Sequence, residues 1–536
     1  CPMPKSINKK IKKPSLSILR LIVFWPPVAV ALALALVTPV YLILRSFGAY
    51  NSFIELMFSA KTISIFLRTF ILILLVTFFS LLIALPAAWL TERTDLPFRR
   101  TFRVLTSLPL VVPSYVFALI LVMFLSPKGM LQDLLEPFGI NRIPEIYGLP
   151  GAVLSLSLIT FPYVLIPIRA YLARVDISAE EAARSLGYSG FNLFMSVTFP
   201  MLRPAIVAGS LLVALYTLSD FGAVALMRYE TFTWSIFIQY QTTFNSPNAA
   251  VLSLILASFA SVILVVFWIA DKKREYYRST PGADNIATLS KLGKWKPLSI
   301  FFMFSLVTMS LLLPFAILCY WVIRGVLAGE RMDLLWAPAA NSITVSVLAA
   351  VLCVLIAVPL AYMSVRQKNR YATVIYQSTY IGFALPGITI ALAFVFIVAS
   401  YITPLYQTVV VLLFAYVTLF VSVTVGSIQA SLRQINPNLD EAASSLGRTP
   451  TNILLSITVP LLWKGILAGG VLAFLLTMKE LPVTLILSPI GFTSLATVIW
   501  SASEEAFFAK AAAPALLLVL LSSVPLAIFE VKRSKS

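Results

Sequence analysis

The sequence predicts an all-α integral membrane protein with about 12 transmembrane helices, arranged as two parallel six-helix repeats. Three observations lead to this prediction. Of the 536 residues, 60% are hydrophobic and only 12% are charged. The mean hydropathy of +0.94 lies far above the usual range of soluble domains. Apolar runs long enough to cross a bilayer recur along the chain, and the second half repeats the first.

A helix that crosses the hydrocarbon core needs about 20 mostly apolar residues. Six such runs precede residue 271 and six follow residue 298, so we predict a first repeat at 1–270, a basic linker at 271–298 and a second repeat at 299–536. The predicted spans are residues 21–46, 66–91, 104–125, 150–170, 203–227, 250–270, 299–323, 341–364, 373–400, 407–430, 463–488 and 509–530.

The basic residues cluster in tails and loops that alternating spans place on one side of the membrane. Cytoplasmic loops carry an excess of Lys and Arg, so we expect this side, with both termini, to be cytoplasmic. The formal charge of +18 reflects this pattern and does not indicate nucleic-acid binding. The residues are Lys5, Lys9, Lys10, Lys12, Lys13, Arg93, Arg99, Arg100, Arg103, Lys272, Lys273, Arg274, Arg278, Arg366, Lys368, Arg370, Lys532, Arg533 and Lys535.

An internal repeat organises the chain. The stretch LLIALPAAWL around Pro86 matches VLIAVPLAYM around Pro359, at an offset of 273 residues. Further along, Glu181 matches Glu441 at an offset of 260, because a loop of the first half is 13 residues longer. Each half has an even number of spans, so the halves run through the membrane in the same direction.

The composition excludes several kinds of chemistry. Histidine is absent, which excludes the usual zinc sites and catalytic triads. Cys319 and Cys353 lie inside apolar runs, where we expect small buried hydrophobic residues rather than a disulfide framework. No G-x-x-x-x-G-K-[ST] phosphate loop occurs. We therefore expect no enzyme activity and no bound cofactor in this chain.

Two polar stretches interrupt the apolar runs between the fourth and fifth span of each half. They are EEAARSLGYSGFNLFMSVTFP, within residues 178–200, and DEAASSLGRTPTNILLSITVP, within residues 438–460. Ser178 with Glu181, and Asn438 with Glu441, predict capping boxes that start a short helix. A glycine after each helix can end it or bend it. Each stretch is predicted to be two short helices joined at a glycine.

The two stretches are more alike than plain connectors need to be. A connector lying on the lipid headgroups is the alternative for either copy. However, residues 181–206 and 441–466 are identical at 12 of 26 positions, and these include the polar pair Asn192 and Asn452. A pair of equivalent protein-docking sites explains this repetition better.

The sequences EAARSLG and EAASSLG resemble the EAA loop of permease subunits of binding-protein-dependent ABC importers. The resemblance implies a type I ABC importer permease fold, with two permease domains fused in one chain of a bacterial plasma (inner) membrane. It also implies two cytoplasmic ATPase subunits that bind ATP and Mg, an extracytoplasmic binding protein and surrounding membrane lipid. In this family the loops are coupling helices seated in the ATPase subunits. The matching residues are Glu181, Ala182, Ala183, Gly187, Glu441, Ala442, Ala443 and Gly447.

A secondary transporter of six plus six spans, driven by an ion gradient, is the chief alternative from another class. Such carriers also use parallel halves. Paired capped loops at the same place in each half have no obvious role there, whereas they are expected in an importer coupled to ATPase subunits.

One acidic residue lies within the fifth predicted span of each half: Asp220 in the first half and Glu480 in the second. Charge within a span is costly and marks a candidate functional site. The two carboxylates could line a central pathway as transient ligands for a metal cargo. Alternatively, they could satisfy backbone groups at a helix break, or Glu480 could pair with Lys479. The sequence leaves both interpretations open.

The stretches DFGAVALMRYETFTWSIFIQYQ and KELPVTLILSPIGFTSLATVIWS, with EEAFFAKAAAPAL, resemble the ferric-iron uptake branch of these permeases. Ferric ion is a hard cation that prefers carboxylate and phenolate oxygens, so Asp220, Glu480, Glu504 and Glu505 suit it as pathway residues. Fused permeases for thiamine and for phosphonates are similar, and these cargoes remain alternatives.

Overall fold

The protein folds into a bundle of helices. The computed structural model describes residues 18–47, 50–127, 129–140, 142–173, 182–183, 185–188, 190–241, 246–272, 289–329, 335–366, 378–379, 382 and 385–535. Over these residues the β structure amounts to an isolated bridge between Thr94 and Ser290. The predicted all-α class is confirmed.

The first half runs from α1 to α12. Its α-helices are α1 (Ile18–Phe47), α2 (Tyr50–Met57), α3 (Ala60–Arg93), α4 (Arg99–Leu105), α5 (Ser114–Leu125), α6 (Met130–Leu135), α7 (Leu149–Leu172), α8 (Gly190–Leu193), α9 (Phe199–Ser219), α10 (Gly222–Leu226), α11 (Phe232–Gln241) and α12 (Ser246–Lys272). Short 3-10 turns cover Leu108–Val111 and Glu136–Phe138, and a π-helical segment covers Phe194–Thr198.

The second half runs from α13 to α24. Its α-helices are α13 (Lys296–Val307), α14 (Leu313–Leu327), α15 (Trp336–Arg366), α16 (Gly387–Tyr401), α17 (Val409–Leu432), α18 (Asn438–Ser445), α19 (Pro450–Ile453), α20 (Val459–Leu461), α21 (Trp463–Met478), α22 (Pro482–Leu487), α23 (Leu495–Glu504) and α24 (Phe508–Lys535). Further 3-10 turns cover Gly293–Trp295 and Thr403–Leu405, and π-helical segments cover Thr308–Leu312 and Leu454–Thr458.

The described part of the chain contains nine helices that are long and apolar enough to cross a membrane. Thr451–Leu461 and Trp463–Met478, which meet at a bend of 77°, pass the same test of length and composition only when they are taken together. Gly387–Tyr401 and Phe508–Val524 are shorter apolar helices at the positions of two further predicted spans. Against the predicted 12 or so transmembrane helices, the described residues thus contain nine or ten helices that could cross a membrane, and the two shorter apolar helices lie where two further spans were predicted.

The third and fifth apolar segments of the first half are interrupted. Pro113 has an extended backbone and α5 begins directly after it. The run predicted as a single span at 203–227 breaks at Asp220, where α9 ends and the short α10 follows. In the second half, α16 likewise follows Pro386, and the run predicted at 463–488 breaks after Met478. The two predicted fifth spans were therefore too long.

Each half is built on the same three-helix core. In the first half α3, α7 and α9 pack together, and in the second half α15, α17 and α21 do so. Glycines at equivalent positions allow these helices to approach closely. A Cβ atom on Gly209 would lie 2.7 Å from Cα of Val164, and one on Gly469 would lie 3.1 Å from Cγ2 of Thr424. Small residues permit such close packing of helices in membranes.

The first apolar span of each half also packs against the other half, and in the second half this span comprises α13 and α14. Helix α1 contacts α15 and α16, with ring centroids 5.9 Å apart for Phe24 and Tyr362 and 5.1 Å apart for Tyr41 and Phe396. Helix α14 of the second half contacts α5 of the first. The two halves are therefore interlocked by helices as well as joined by the chain.

Candidate functional site

The second polar loop contains the short helix α18, which ends at a glycine as predicted. Gly447 follows it with φ +82°, and the N–H of Arg448 donates to the carbonyl of Ala443 across this turn at 3.1 Å. The predicted capping box of Asn438 and Glu441 is wrong. The helix starts from Pro437, and the side chain of Asn436 accepts the N–H of Asn438 at 3.0 Å.

The first polar loop is described in part. Ser178 and Glu181 lie outside the described residues, so the capping box predicted for this loop does too. Ala182 and Ala183 are helical, and Gly187 has φ +91°. The N–H of Tyr188 donates to the carbonyl of Ala183 at 3.0 Å, which repeats the turn after α18. Both short helices thus end in the same way, because only glycine adopts this left-handed conformation without strain.

The second loop presents one face to solvent. Glu441, Ala442 and Gly447 are exposed, whereas Ala443 is buried. In the first loop Ala182 and Gly187 are exposed and Ala183 is buried. The predicted coupling residues of the second loop therefore divide into an outward group and one inward alanine.

An exposed leucine beside each glycine was not singled out from the sequence. Leu186 is 78% exposed and Leu446 is 84% exposed. A large apolar side chain is thus exposed at the same place in both halves, beside the glycine that ends each short helix. The sequence offered one signal for these residues: a leucine directly precedes the glycine in both copies of the repeat.

A π-helical segment connects each loop to the fifth apolar segment of its half. Phe194–Thr198 and Leu454–Thr458 lie at the same offset of 260 residues as the loops themselves. In the first half the segment continues into α9, whereas in the second half the chain bends by 77° before α21. π-Helical turns are often found at functional sites.

Asp220 marks the break at the end of α9. Its side chain is 7% exposed, and its Oδ2 accepts the N–H of Ala223 at 3.0 Å and that of Val224 at 3.4 Å. Its carbonyl accepts the hydroxyl of Thr233 at 2.6 Å. The carboxylate therefore caps α10, as the helix-break interpretation predicts, because the first N–H groups of a helix lack partners within it.

Glu480 occupies the equivalent place in the second half. Its Oε1 accepts the N–H of Val483 at 3.4 Å, and its carbonyl accepts the hydroxyl of Thr484 at 2.6 Å. The side chain is half-buried and lines a small pocket with Tyr416 and Thr484, which share a hydrogen bond of 2.6 Å. The backbone of Gly387 lies so close that a Cβ atom there would be 2.7 Å from Oε1 of Glu480.

Lys479 does not pair with Glu480. Its Nζ donates instead to the carbonyl of Leu110 at 2.9 Å, in the 3-10 turn of the first half. No Lys479–Glu480 ion pair within 4.0 Å occurs among the described side chains. The ammonium therefore links the two halves beside the carboxylates, and this alternative for Glu480 is not the one the structure adopts.

Three tyrosines lie near enough to the carboxylates to interact with them electrostatically. Tyr115 and Tyr416 interact electrostatically with Glu480, and Tyr216 with both Asp220 and Glu480. The hydroxyl of Tyr115 is buried and has no hydrogen-bond partner among the described residues. Oxygen groups from both halves thus meet at the two helix breaks. The tyrosines were not predicted, since Tyr115 and Tyr416 lie in apolar runs far from Glu480 in sequence, and Tyr216, four residues before Asp220, belongs to the same predicted span.

Glu504 and Glu505 stand apart from this group. Both are exposed at the end of α23, and the charged group near Glu504 is Glu505. Among the described residues no three His, Cys, Asp or Glu side chains come together as a metal site. The central carboxylates thus do not form a ready-made metal centre of the usual acidic kind.

Known proteins identify the family. The profile described as "Binding-protein-dependent transport system inner membrane component" matches residues 80–272 and again residues 353–531. The chain belongs to this family. It is a permease with two such domains fused in one chain, a transport subunit rather than an enzyme, and a multi-pass protein of the inner membrane.

Individual relatives extend this result. The permease is 34% identical to the "Fe(3+)-transport system permease protein FbpB 2" of Haemophilus influenzae, over 94% of its own length and 97% of the relative. It is 24% identical to the "Ferric transport system permease protein FbpB" of Actinobacillus pleuropneumoniae, over 77% of its own length and 62% of the relative. The "Molybdenum transport system permease protein ModB" of Escherichia coli is 30% identical, with 90% of the relative matching 38% of the permease. A relative of one domain thus matches about one half of the chain.

Proposed function

We propose that this permease moves ferric iron inwards across the bacterial plasma membrane by alternating access. The observation that supports this cargo is the 34% identity to a Fe(3+)-transport permease over 94% of the chain. Similarity over nearly the whole length covers both the loops and the central helix breaks.

The energy source in this proposal is a pair of cytoplasmic ATPase subunits that bind ATP and Mg. One would dock on each polar loop, through Glu181, Ala182 and Gly187 in the first half and Glu441, Ala442 and Gly447 in the second, while the buried Ala183 and Ala443 pack within the permease. The exposed Leu446 supports this, because an apolar side chain needs a partner surface to leave water. An extracytoplasmic binding protein would deliver the ion from the other side, with both termini of the permease in the cytoplasm.

The pathway in this proposal runs between the two helix breaks. Asp220, Glu480 and the neighbouring tyrosines offer carboxylate and phenol oxygens, which suit a hard cation. Each carboxylate already accepts backbone N–H groups, so contact with the ion would be transient and would compete with capping of α10 and α22. Weak binding of this kind lets the cargo leave as well as enter. Glu504 and Glu505 would lie at the margin of the path.

Uptake of radiolabelled ferric iron tests the proposal. Cells or vesicles would contain the permease with its ATPase and binding-protein partners. Wild type would be compared with Asp220→Asn, Glu480→Gln and an ATPase-dead partner. We expect ATP-dependent uptake in wild type and loss of uptake in both carboxylate variants while the complex remains assembled.

Uptake assays with other solutes distinguish iron from the alternative cargoes. Molybdate is included because a molybdenum permease matches half of the chain, and thiamine and a phosphonate complete the set. ATP-dependent uptake of one of these without iron uptake would replace the cargo. Normal iron uptake in both carboxylate variants would reduce Asp220 and Glu480 to helix caps.

A further inference from the structure

The short helix α18 has few means of passing force to the membrane. It has eight residues, and isolated helices shorter than about 12–15 residues are marginal in water. Its outward residues are exposed, and Ala443 is its buried residue. A coupling element built this way moves the spans more directly if a polar contact supplements its chain connection to them.

Asp440, in the first turn of α18, provides such a link. Its Oδ2 lies 2.8 Å from Nε of Arg366, the last residue of α15, and the two side chains are 13% and 11% exposed. The Nε–H is not directed at the oxygen, so the contact is an ion pair rather than a hydrogen bond. The other carboxylate oxygen accepts the hydroxyl of Thr458 at 3.2 Å. An acidic residue in the first helical turn is also favoured by the helix dipole.

The two partners of Asp440 lead to different parts of the half. Arg366 ends α15 and also donates to the carbonyl of Ile435, just after α17, at 3.0 Å. Thr458 is the last residue of the π-helical segment that leads towards α21. One mostly buried carboxylate thus joins the coupling helix, two membrane helices and the approach to the broken fifth segment.

The repeat retains an arginine, an acidic residue and a threonine at these three positions. Arg93, Glu180 and Thr198 occupy the positions equivalent to Arg366, Asp440 and Thr458. Arg93 and Thr198 are buried, and Glu180 lies outside the described residues. None of these residues belongs to the docking set named above. Their retention in both halves indicates a shared task on the membrane side of the loop.

We propose that Arg366, Asp440 and Thr458 form a clamp that transmits movement of α18 to the fifth segment. They are positioning residues, and this inference rests on the proposed docking of an ATPase subunit at α18. The clamp acts by rigidity. While Asp440 holds both partners, a push on α18 displaces the π-helical segment and the start of α21 together. Without the contacts of Asp440, α18 can tilt while the membrane helices stay in place.

A distance measurement tests the clamp without reference to the cargo. Leu212 in α9 and Leu472 in α21 hold equivalent positions and are 36% and 38% exposed, which makes both accessible to spin labels. In a chain with Cys1, Cys319 and Cys353 replaced, Leu212→Cys and Leu472→Cys report the separation of the fifth segments by pulsed electron paramagnetic resonance. The complex with its ATPase subunits is measured without nucleotide and with trapped ATP.

The clamp predicts that ATP shifts this distance in wild type and that Asp440→Asn and Arg366→Gln lose most of the shift while still binding the ATPase. ATP hydrolysis should continue while binding-protein-stimulated transport falls about tenfold, the size expected for a mutation on a coupling route. The double variant Arg366→Asp with Asp440→Arg should recover part of the shift. Arg433→Gln, an exposed arginine after α17, is the matched control and should behave as wild type.

Thr458→Val keeps the inference testable if a charge variant fails to assemble. It removes one hydrogen bond and leaves the ion pair, so it should reduce the shift partly, and Thr458→Ser should restore it. A full ATP-induced shift in Asp440→Asn, or in Thr458→Val where the charge variants do not assemble, would overturn the clamp. If the ATPase subunits do not bind the wild-type permease, the proposed docking at the loops is refuted instead. If the distance shifts normally but no iron is taken up, only the proposed cargo is refuted.

Discussion

Asp220 and Glu480 each serve a short helix that starts in the middle of an apolar segment. A carboxylate in this position reconciles the two interpretations of the sequence. It satisfies N–H groups that lipid cannot satisfy, and it places an ionisable oxygen group where the two halves meet. Structural support and a role in the pathway therefore do not exclude one another, and single substitutions should affect both.

Tyr115 separates the pathway role from the structural one. Its hydroxyl is buried without a partner among the described residues, so Tyr115→Phe removes no hydrogen bond seen there. A buried hydroxyl left unpaired is unfavourable, so thermal stability in detergent should stay equal or rise slightly. If the phenol oxygen contacts the passing ion, iron uptake should fall about tenfold, comparable with the loss of a supporting group at a metal site.

The control for Tyr115 is Tyr401→Phe, since Tyr401 is exposed at the end of α16. Both variants are assayed for assembly, melting temperature and initial uptake rate. Unchanged uptake in Tyr115→Phe would remove this tyrosine from the proposed path.

At the scale of elements, the two equivalent glycine contacts govern how closely the core helices pack. A Cβ on Gly209 would meet the backbone of α7 at 2.7 Å, and a backbone atom cannot move aside as the tip of a flexible side chain can. We expect Gly209→Ala to destabilise the fold by about 1–3 kcal/mol through overpacking, seen as a lower melting temperature in detergent.

Gly470 is the matched control within the equivalent helix. A Cβ there would lie 3.4 Å from Cγ2 of Val354, an ordinary contact. Gly470→Ala should leave the melting temperature unchanged or raise it, since alanine favours helix by about 1 kcal/mol over glycine. Equal melting temperatures for both variants would show that the close approach of α7 and α9 does not limit stability.

The exposed face of α18 supports a separate prediction about docking. Glu441→Lys reverses a charge and Leu446→Asp removes the exposed apolar side chain, and neither changes a buried contact of the helix. Each should lower the amount of ATPase subunit that copurifies while the permease still inserts into the membrane. Gly187→Pro should do the same at the first loop, because proline cannot adopt the φ of +91° found there.

Ser445→Ala is the control for the docking variants, since Ser445 is exposed on α18 and its hydroxyl donates to the carbonyl of Glu441 in the preceding turn. Copurification is measured from solubilised membranes by quantitative immunoblot. Full ATPase recovery in all three docking variants would contradict the assignment of the loops as the docking site.

The sequence predicted features that repeat or that depend on local chemistry. The glycine ends at Gly187 and Gly447 followed from one residue type in two places. The start of α18 did not, because the side chain of Asn436 takes the N–H that the capping box would have used, and Pro437 begins the turn. The gathering of Tyr115 and Tyr416 near Glu480 depends on how distant apolar segments pack, and no local pattern records this.

At the scale of the whole molecule, two features hold the halves together: the peptide chain that joins the two domains, and the packing of helices of one half against the other. A molybdenum permease matches 38% of this chain with 90% of its own length, so a permease domain of this kind occurs as a separate chain. Here α1 packs on α15 and α16 while α14 packs on α5. These contacts do not depend on the peptide connection, so they should hold two separate halves together.

We therefore expect a chain divided between residues 279 and 280 to assemble when both pieces are produced in one cell. The cut leaves the contacts near residue 290 on the second piece, where Ser290 bridges Thr94 and the N–H of Leu292 donates to Asp95 at 2.8 Å. Copurification through a tag on one piece, followed by the uptake assay, measures the result. A second version that lacks residues 1–47 removes α1 and should recover far less of the partner piece. If the divided chain fails to assemble although each piece inserts, the linker rather than helix packing holds the halves together.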